Sequence, residues 1–337
     1  MQRLLDEGSF VATYKFALIL SLADFSVKYG SDDGESVRLT TRDIAESFIE
    51  YYWRQAVPYV HDDADLELRL LKHSTGNQPV ILNRIVELHA AFSGSLSIAR
   101  RQVVLWEALV RSVAQTIASM PLWKLQVVGR STLPFLYVQH GSGSRIDLLP
   151  GVVFNFRRFY DLIRNMVQGA WTRHVRRINK DTLGKADLAE FLFGAERTAQ
   201  PGLRSLLKDV QVDSCFYCSG RLREAGEIDH FIPWARYPID LGHNFVLAHT
   251  TCNRNKRDYL AGQEHLERWQ LRNSNLGALL AREFDDRGIL HDINATKRIA
   301  FWAYDQAENS RSNLWHQSNI VSPIEDKWRQ AFGGTGL

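Results

Sequence analysis

The sequence predicts a mainly α-helical protein with a small β portion, in which a larger helical domain is joined to a small module held together by metal ligands. Two observations lead to this fold class. Apolar residues recur at helical spacing between residues 10 and 119 and again after residue 260, as expected for helices that bury one face. All three cysteines of the 337-residue chain fall between residues 215 and 252, which indicates one local metal site rather than a disulfide framework.

The helical part begins with an apolar stripe over residues 10–30, which predicts a first helix. Thr40, followed three residues later by Asp43, is typical of a helix N-terminus and predicts a second helix. Further helices are expected over 80–93 and 97–119. The Thr-x-x-Asp signal also fits a small winged or helix-turn-helix DNA reader, although ordinary helical bundles show the same spacing.

Short strands are predicted between residues 122 and 153, where WKLQVV, FLYV and IDLLPGVVF surround the turn GSGSR. An arginine-rich helix is expected over 154–180, followed by a helical connector over 181–212. Later helices are expected over 260–272, 275–285 and 294–309. Their aromatic residues are predicted to pack onto the N-terminal part: Trp269, Phe284, Phe301, Trp302 and Tyr304.

These assignments divide the chain into four parts. Residues 1–200 form a mainly helical domain, with its strands near 122–153, for substrate selection, partner docking or control. Residues 205–270 form the metal module, residues 271–321 form C-terminal helices that pack on the rest, and residues 322–337 form a tail.

Two pairs of metal-ligand residues frame the module. Cys215 and Cys218 are separated by two residues, and so are His249 and Cys252. A two-residue gap lets both members of a pair turn back onto one ion, and cysteine and histidine are ligands that zinc prefers. We therefore predict a structural Zn²⁺ held by these four side chains, with no open coordination position.

The segment between and just after the two pairs carries a second pattern. Its members are Asp229, His230, Pro233, Asn244, Asn253 and Lys256. Together with the zinc pairs, this pattern resembles the HNH endonuclease family, which has a ββα-metal fold and includes bacterial restriction and phage-defence proteins. The resemblance covers residues 215–259.

The resemblance implies a role for each of these residues. His230 would be the general base, and Asp229 and Asn253 would be the ligands of a catalytic metal. Asn244 would hold the loop between the two strands. The chain departs from many relatives in two ways: His249 stands where they have a third cysteine, and Asn253 stands where others have histidine.

The chemistry of the residue types agrees with these roles. Hydrolysis of a phosphodiester needs a base that takes a proton from water near neutral pH, which suits His230. Carboxylate and amide oxygens suit a hard divalent cation, so Mg²⁺ or Mn²⁺ is the expected catalytic ion. Two alternatives stay open: His243 as a metal ligand in the position given to His249 or to Asn253, instead of a loop histidine, and Glu227 as a further metal ligand instead of a solvated strand residue.

Positive charge near the module suggests contacts with phosphate. The net charge of +3 permits nucleic-acid binding without demanding it. Arg254, Lys256 and Arg257 follow the last zinc ligand at a predicted helix start, where cations and backbone N–H groups both hold phosphate. Four more basic residues are spaced to share one helix face: Arg173, Arg176, Arg177 and Lys180.

The resemblance therefore implies a metal-dependent endonuclease that hydrolyses double-stranded DNA, favoured over RNA, and leaves 5′-phosphate ends. Two alternatives remain: a non-catalytic zinc-knuckle protein that binds nucleic acid, and a nuclease subunit that acts only with a protein partner bound through the N-terminal helical domain. Because no secretory signal and no membrane-length apolar run is found, we expect a cytoplasmic protein with no membrane partner.

Overall fold

The computed structural model of the protein describes residues 1–7, 10–59, 70–76, 80–129, 131–141, 144–180, 188–194, 202–223, 225–238 and 240–333. The chain forms two compact units, Met1–Glu196 and Arg197–Leu337, and each is described here on its own. The described residues are mainly helical with small sheets, which confirms the predicted fold class. No helix among them is long and apolar enough to cross a membrane.

The first unit contains the larger set of helices. They are α1 (Gln2–Glu7), α2 (Tyr14–Tyr29), α3 (Thr41–Trp53), α4 (Val80–Ala91), α5 (Leu96–Arg101), α6 (Val103–Ser119), α7 (Pro121–Leu125), α8 (Val152–Arg158), α9 (Tyr160–Ile178) and α10 (Leu188–Phe193). Its strands are β1 (Arg38–Thr40), β2 (Val127–Val128), β3 (Ser131–Thr132), β4 (Tyr137–His140) and β5 (Arg145–Leu148). One antiparallel sheet has the order β1-β5-β4, and β2 pairs with β3.

Helix α2 is central to this unit because it is buried on every side. All residues from Lys15 to Val27 are buried, as expected for a helix surrounded by other elements, and α2 packs against α3, α8 and α9. The buried carboxylate of Asp24 accepts hydrogen bonds from the hydroxyls of Tyr51 and Tyr160, each at 2.6 Å. Burial raises the pKa of Asp24 above its usual value, and the two donors satisfy both carboxyl oxygens.

A buried arginine caps the C-terminal end of α2. Arg157 on α8 is 4% exposed. Its Nη1 donates to the carbonyls of Ser26, Val27 and Gly30, and its Nε pairs with Asp32. The last carbonyls of a helix have no partners within the helix and carry partial negative charge. Arg157 therefore serves the fold, although the sequence places it in a basic segment.

Several predicted elements of the first unit are confirmed. The helices expected over 10–30 and 80–93 are α2 and α4. The helix start at Thr40 is a complete capping box, in which Thr40 accepts from the backbone N–H of Asp43 and the Asp43 side chain accepts from the backbone N–H of Thr40. The strands expected before residue 153 are β4 and β5.

Two boundaries in the same unit are wrong. The helix expected over 97–119 is broken at Gln102, whose backbone leaves the helical region, into α5 and α6. The strand expected from Trp123 onwards is shorter, because Trp123 lies in α7 and only Val127–Val128 form a strand, β2. Pro121 starts that helix, at a first-turn position where no N–H is needed. Parts of the expected connector, residues 181–187 and 195–201, lie outside the described residues.

The second unit contains a hairpin, long helices and a small C-terminal sheet. Its helices are α11 (Leu203–Val210), α12 (Thr250–Lys256), α13 (Gln263–Arg287) and α14 (Ile293–Asn309), with 3₁₀ helices at Gly242–Asn244 and Asp326–Phe332. Its strands are β6 (Glu227–His230), β7 (Phe245–Ala248), β8 (Leu260–Ala261), β9 (Asn313–Gln317) and β10 (Ile320–Pro323). β6 and β7 form an antiparallel hairpin, and β9 pairs parallel with β8 and antiparallel with β10.

The two helices expected over 260–272 and 275–285 are one helix, α13. Asn273, which lies between the two expected helices, is used in tertiary contacts. Asn273 is 1% exposed; its Oδ1 accepts from Arg272, and its Nδ2 donates to the carbonyl of His243 at 3.3 Å. Gly277 gives α13 room beside α14, since a Cβ there would lie 2.4 Å from Ile293.

The C-terminal aromatic residues build the core of the second unit, and their packing onto the N-terminal part stays a prediction. Trp269 stacks on Phe231 with ring centroids 4.9 Å apart. The hydroxyl of Tyr304 donates to the carbonyl of Ala261 at 2.6 Å. Phe284 packs on His243, Trp302 on Tyr237, and Phe301 on Trp328.

The expected tail is partly ordered structure. Strand β10 begins at Ile320, and the 3₁₀ helix that follows buries Trp328, which is 1% exposed. Trp328 packs on Phe301 of α14. Because aromatic residues are the largest apolar side chains, this contact attaches the C-terminal segment to α14. Residues 334–337 lie outside the described residues.

We predict that Arg157→Ala lowers the free energy of unfolding by about 3 kcal/mol, because three carbonyls and one carboxylate lose a buried charged donor. Urea denaturation of the full chain measures this change. The matched control is Arg158→Ala, which removes the same charge from an exposed position and should alter stability by under about 0.5 kcal/mol. Equal effects of the two substitutions would contradict the capping role.

Candidate active site and metal centre

The sequence between residues 227 and 256 folds into a ββα arrangement. In the hairpin, Glu227 lies opposite Ala248, and His230 lies opposite Phe245. Helix α12 begins directly after His249. Strand residues two apart share a face, so Glu227 and Asp229 project from the same side of β6.

The four predicted zinc ligands come together. The ligand atoms of Cys215, Cys218, His249 and Cys252 all lie within 4.8 Å of one another. Three sulfurs and one imidazole nitrogen are a common tetrahedral donor set for zinc. Cys215 and Cys218 lie in a tight turn after α11, whereas His249 and Cys252 lie at the start of α12.

The imidazole of His249 is oriented for metal binding. Its Nδ1 lies 3.2 Å from Cys218 Sγ, and its Nε2 lies 3.1 Å from the carbonyl oxygen of Arg221. An Nε2–H that donates to this carbonyl leaves the Nδ1 lone pair directed at the sulfurs, which is the usual outer support of a metal-bound histidine.

The backbone around Cys215 forms a compact knuckle. The N–H of Cys215 donates to the carbonyl of Gly220 at 2.8 Å, and the N–H of Ser219 donates back to the carbonyl of Cys215 at 2.9 Å. The turn places Ser219 at φ 58°, a left-handed conformation that non-glycine residues seldom adopt. Gly220 lies against the donor cluster, since a Cβ at this position would be in van der Waals contact with Cys218 Sγ at 3.4 Å.

The crowding of donors favours a cation. Burial and the neighbouring sulfurs of Cys215 and Cys218 raise the pKa of Cys252 to about 12. Three adjacent thiolates would repel one another, and a divalent ion offsets that repulsion. The residues therefore fit a structural zinc.

His230 lies at the end of β6 with its ring held on several sides. Its Nε2 is 2.6 Å from Oδ1 of Asp240, which lies in the loop that follows. The ring centroid is 4.8 Å from that of Phe245 and 5.5 Å from that of Trp234. The side chain is 24% exposed, so the ring still reaches solvent.

The Asp229 carboxylate is anchored through one of its oxygens. Its Oδ2 accepts from the Tyr217 hydroxyl at 2.5 Å and pairs with Lys256 Nζ at 3.0 Å. Burial and the adjacent Asp229 raise the pKa of Tyr217 well above its usual value, so the hydroxyl stays protonated and donates. Among the described residues, both contacts of Asp229 use Oδ2, and Oδ1 is available to a ligand.

Lys256 has a different role from the expected phosphate contact. Its side chain is completely buried, and its Nζ also donates to the carbonyl of His230 at 3.0 Å. A buried ammonium with these partners has no access to a nucleic-acid backbone. This corrects the surface role that the sequence suggested for Lys256.

Asn253 and Glu227 form a pair beside Asp229. Asn253 Nδ2 donates to Glu227 Oε2 at 2.9 Å, which directs the amide oxygen away from the glutamate. Glu227 is half-buried and accepts this hydrogen bond from Asn253. It is therefore not a freely solvated strand residue, which was one of the two interpretations of this position.

Asn244 connects the two ends of the loop between β6 and β7. Its Oδ1 accepts from the backbone N–H of Ile232 at 2.8 Å, and its Nδ2 donates to the Ile232 carbonyl at 3.0 Å. The backbone carbonyl of Asn244 accepts from the N–H of Phe231 at 2.8 Å. All three bonds are internal to the protein, so the contribution of Asn244 is to hold the loop.

His243 belongs to the core of the second unit. It is fully buried, its Nε2 lies 3.2 Å from the carbonyl of Gly277, and its ring packs on Phe284 and His291. Burial lowers its pKa to about 4, so the ring is neutral at physiological pH. The cluster of metal donors in the described chain does not include His243.

The remaining predicted cationic contacts are exposed. Arg254 and Arg257 lie on the surface of α12 and just beyond it. The four basic residues predicted to share one helix face belong to the first unit and are also exposed. Arg173, Arg176 and Arg177 lie on α9, and Lys180 lies beyond the end of that helix. The two groups therefore offer charge on separate units.

Sequence reasoning missed two residues that contact the site. Tyr217 lies inside the first cysteine pair, and Asp240 lies in an irregular loop. Neither position carries a local signal, because each is brought to the site by the turn that contains it.

We predict that Cys218→Ser and His249→Ala each reduce bound zinc from about one ion per chain to nearly none and destabilise the second unit, because structural zinc contributes folding free energy directly. Elemental analysis and thermal unfolding measure both effects. His291→Ala is the histidine control, and its zinc content should equal that of the wild type. The assignment would be contradicted if wild-type protein, purified without metal and then supplied with Zn²⁺, bound no zinc.

Comparison with known proteins agrees with this geometry. Residues 217–261 match a family model described as HNH endonuclease. The matched range begins two residues after Cys215 and contains the other three zinc ligands together with Asp229, His230 and Asn253. No curated protein and no solved structure matches the chain. Over residues 217–261 the chain is therefore similar to the HNH endonuclease family, and its cluster of three cysteines and one histidine is compatible with a zinc site.

Proposed function

We propose that the protein is a metal-dependent endonuclease that hydrolyses phosphodiester bonds of double-stranded DNA. The observation that carries this proposal is the arrangement of Asp229, His230 and Asn253 on one ββα module. Tyr217 and Lys256 engage one oxygen of Asp229. The other oxygen and the amide oxygen of Asn253 are then the natural ligands of a hard divalent cation.

The catalytic ion, Mg²⁺ or Mn²⁺, would be held by Asp229 and Asn253. When bound, such a cation neutralises charge that builds on the phosphate and on the leaving oxygen. The zinc has a separate, structural task, since all four of its positions are taken by protein ligands.

His230 performs the proton transfer. With Nε2 engaged by Asp240, Nδ1 is the ring atom that takes a proton from water. The water oxygen forms a bond to phosphorus as the bond from phosphorus to the 3′ oxygen breaks, and the 3′ oxygen gains a proton from solvent. The products carry a 5′ phosphate and a 3′ hydroxyl.

Substrate binding rests on exposed cations. Arg254 and Arg257 at α12 supply charge next to the reactive residues, and α9 supplies a second basic surface. The preference for DNA, the cytoplasmic location and a role in restriction or phage defence are proposals that rest on the family resemblance alone. Residues 1–200 are proposed to select the substrate or to bind a protein partner.

We expect purified protein with Mg²⁺ or Mn²⁺ to nick or linearise supercoiled plasmid and EDTA to stop the reaction. His230→Ala should lower the cleavage rate by about 10²–10⁴-fold, because only the base is removed, while zinc content and thermal stability stay unchanged. His291→Ala should cut at the wild-type rate. Equal rates for His230→Ala and wild type would refute the assignment of the base.

A folded, zinc-loaded wild type that leaves plasmid, linear DNA and RNA intact with either metal would argue against an autonomous nuclease. The same assay with host lysate added then separates an enzyme that needs a partner from a binding protein. Cleavage of RNA alone would overturn the choice of DNA.

We predict that Arg254→Ala and Arg257→Ala each weaken DNA binding and reduce the salt dependence of the binding constant by about one released ion per substitution. Fluorescence anisotropy across a salt series measures both. Arg282→Ala, on the exposed surface of α13, is the control. Reversing the charges of Arg173 and Arg176 tests the surface on α9, and an unchanged salt slope would exclude that surface from DNA binding.

A further inference from the structure

Asp240 makes the shortest polar contact of the candidate base. Its Oδ1 lies 2.6 Å from Nε2 of His230. The two side chains are 23% and 24% exposed, so water screens this pair less than it screens a typical surface ion pair. Nε2 takes part in the one hydrogen bond that the ring makes within the described residues.

The loop places Asp240 beside His230 through several independent contacts. Two residues further on, the N–H of Gly242 donates to the carbonyl of Leu290 at 2.7 Å, and a Cβ at Gly242 would lie 2.6 Å from Phe284. Leu241 between them is buried. The side chain of Asn244 then joins the loop back to Ile232. Asp240 is therefore held by the packing of its neighbours.

The geometry determines which nitrogen of the base carries the proton. A carboxylate accepts hydrogen bonds and does not donate them, so its contact with Nε2 places the imidazole proton on Nε2. The lone pair of the neutral ring then lies on Nδ1. A tilted contact with the ring of Phe245 and an edge contact with the ring of Trp234 restrict rotation of the imidazole, so the direction of that lone pair is also restricted.

We propose that Asp240 is the positioning residue of the nuclease site, which holds His230 in the tautomer and orientation that accept a proton from water at Nδ1. This inference rests on the proposed function for its catalytic consequence. Its structural part, the tautomer of His230, is independent of whether the protein cuts DNA. A base held in the wrong tautomer has no lone pair where the water lies.

The kinetic test compares Asp240→Asn with wild type. The amide can donate as well as accept, so it no longer enforces one tautomer, and kcat should fall by about 10–100-fold with KM for plasmid unchanged. Asp240→Glu, which keeps the carboxylate, should recover part of the loss. Asp258→Asn is the control, since it makes the same substitution at an exposed position and should cut like wild type.

Two further readouts separate positioning from a purely structural or metal-binding role. In a His230→Ala background, Asp240→Asn should cause no additional loss of the residual rate, because Asp240 acts through the ring. The Mg²⁺ concentration that gives half the maximal rate should not change. Additive losses, a lower melting temperature with loss of zinc, or a higher requirement for Mg²⁺ would each overturn the proposal.

The tautomer is measured directly by ¹⁵N NMR of the His230 imidazole, at a pH where the ring is neutral. Wild type should show a protonated Nε2 and a bare Nδ1, and Asp240→Asn should show a mixture. A wild-type ring protonated at Nδ1 would refute the inference even if the protein cleaves DNA. The expected tautomer in a protein that cuts nothing would instead support the inference and count against the proposed function.

Discussion

A buried ammonium group joins the strand that carries Asp229 and His230 to the helix that carries His249 and Cys252 at its start. Lys256, the last residue of α12, contacts both the Asp229 carboxylate and the carbonyl of His230 on β6. Burying a charge is strongly unfavourable unless it is paired and hydrogen-bonded, so this arrangement is stable only when hairpin and helix dock as observed. The relative positions of Asp229, His230 and Asn253 depend on that docking.

Helix α12 is fixed at both of its ends. Its seven residues are too few for a helix that is stable in isolation. His249 at the N-cap and Cys252 in the first turn attach the beginning of the helix to the zinc cluster, and Lys256 attaches its end to β6. The four metal donors and the buried ion pair therefore hold the same short element, and Asn253 lies between them.

The parts of the site set by local spacing were predictable, and the parts set by the path of the chain were not. Cys218 and His249 were recognisable because their partners lie three residues away. Lys256 was misread because a lysine is usually exposed, and only its partners show that it is buried. Asp240 was missed because its loop position depends on contacts of Gly242 with distant α13. The main fold class followed from helical periodicity, whereas the continuity of α13 depended on tertiary bonds of Asn273.

The pairing of β8 with β9 means that the segment shared with a protein family is shorter than the segment that packs around it. Arg268, beyond the matched range, donates to the carbonyls of Phe216 and Tyr217 in the zinc knuckle, and Trp269 covers Phe231. Genetic recombination that moved only residues 217–261 into another protein would transfer the reactive side chains without their supports. Transfer of residues 217–261 with their packing intact therefore requires α13 and the C-terminal sheet to travel with them.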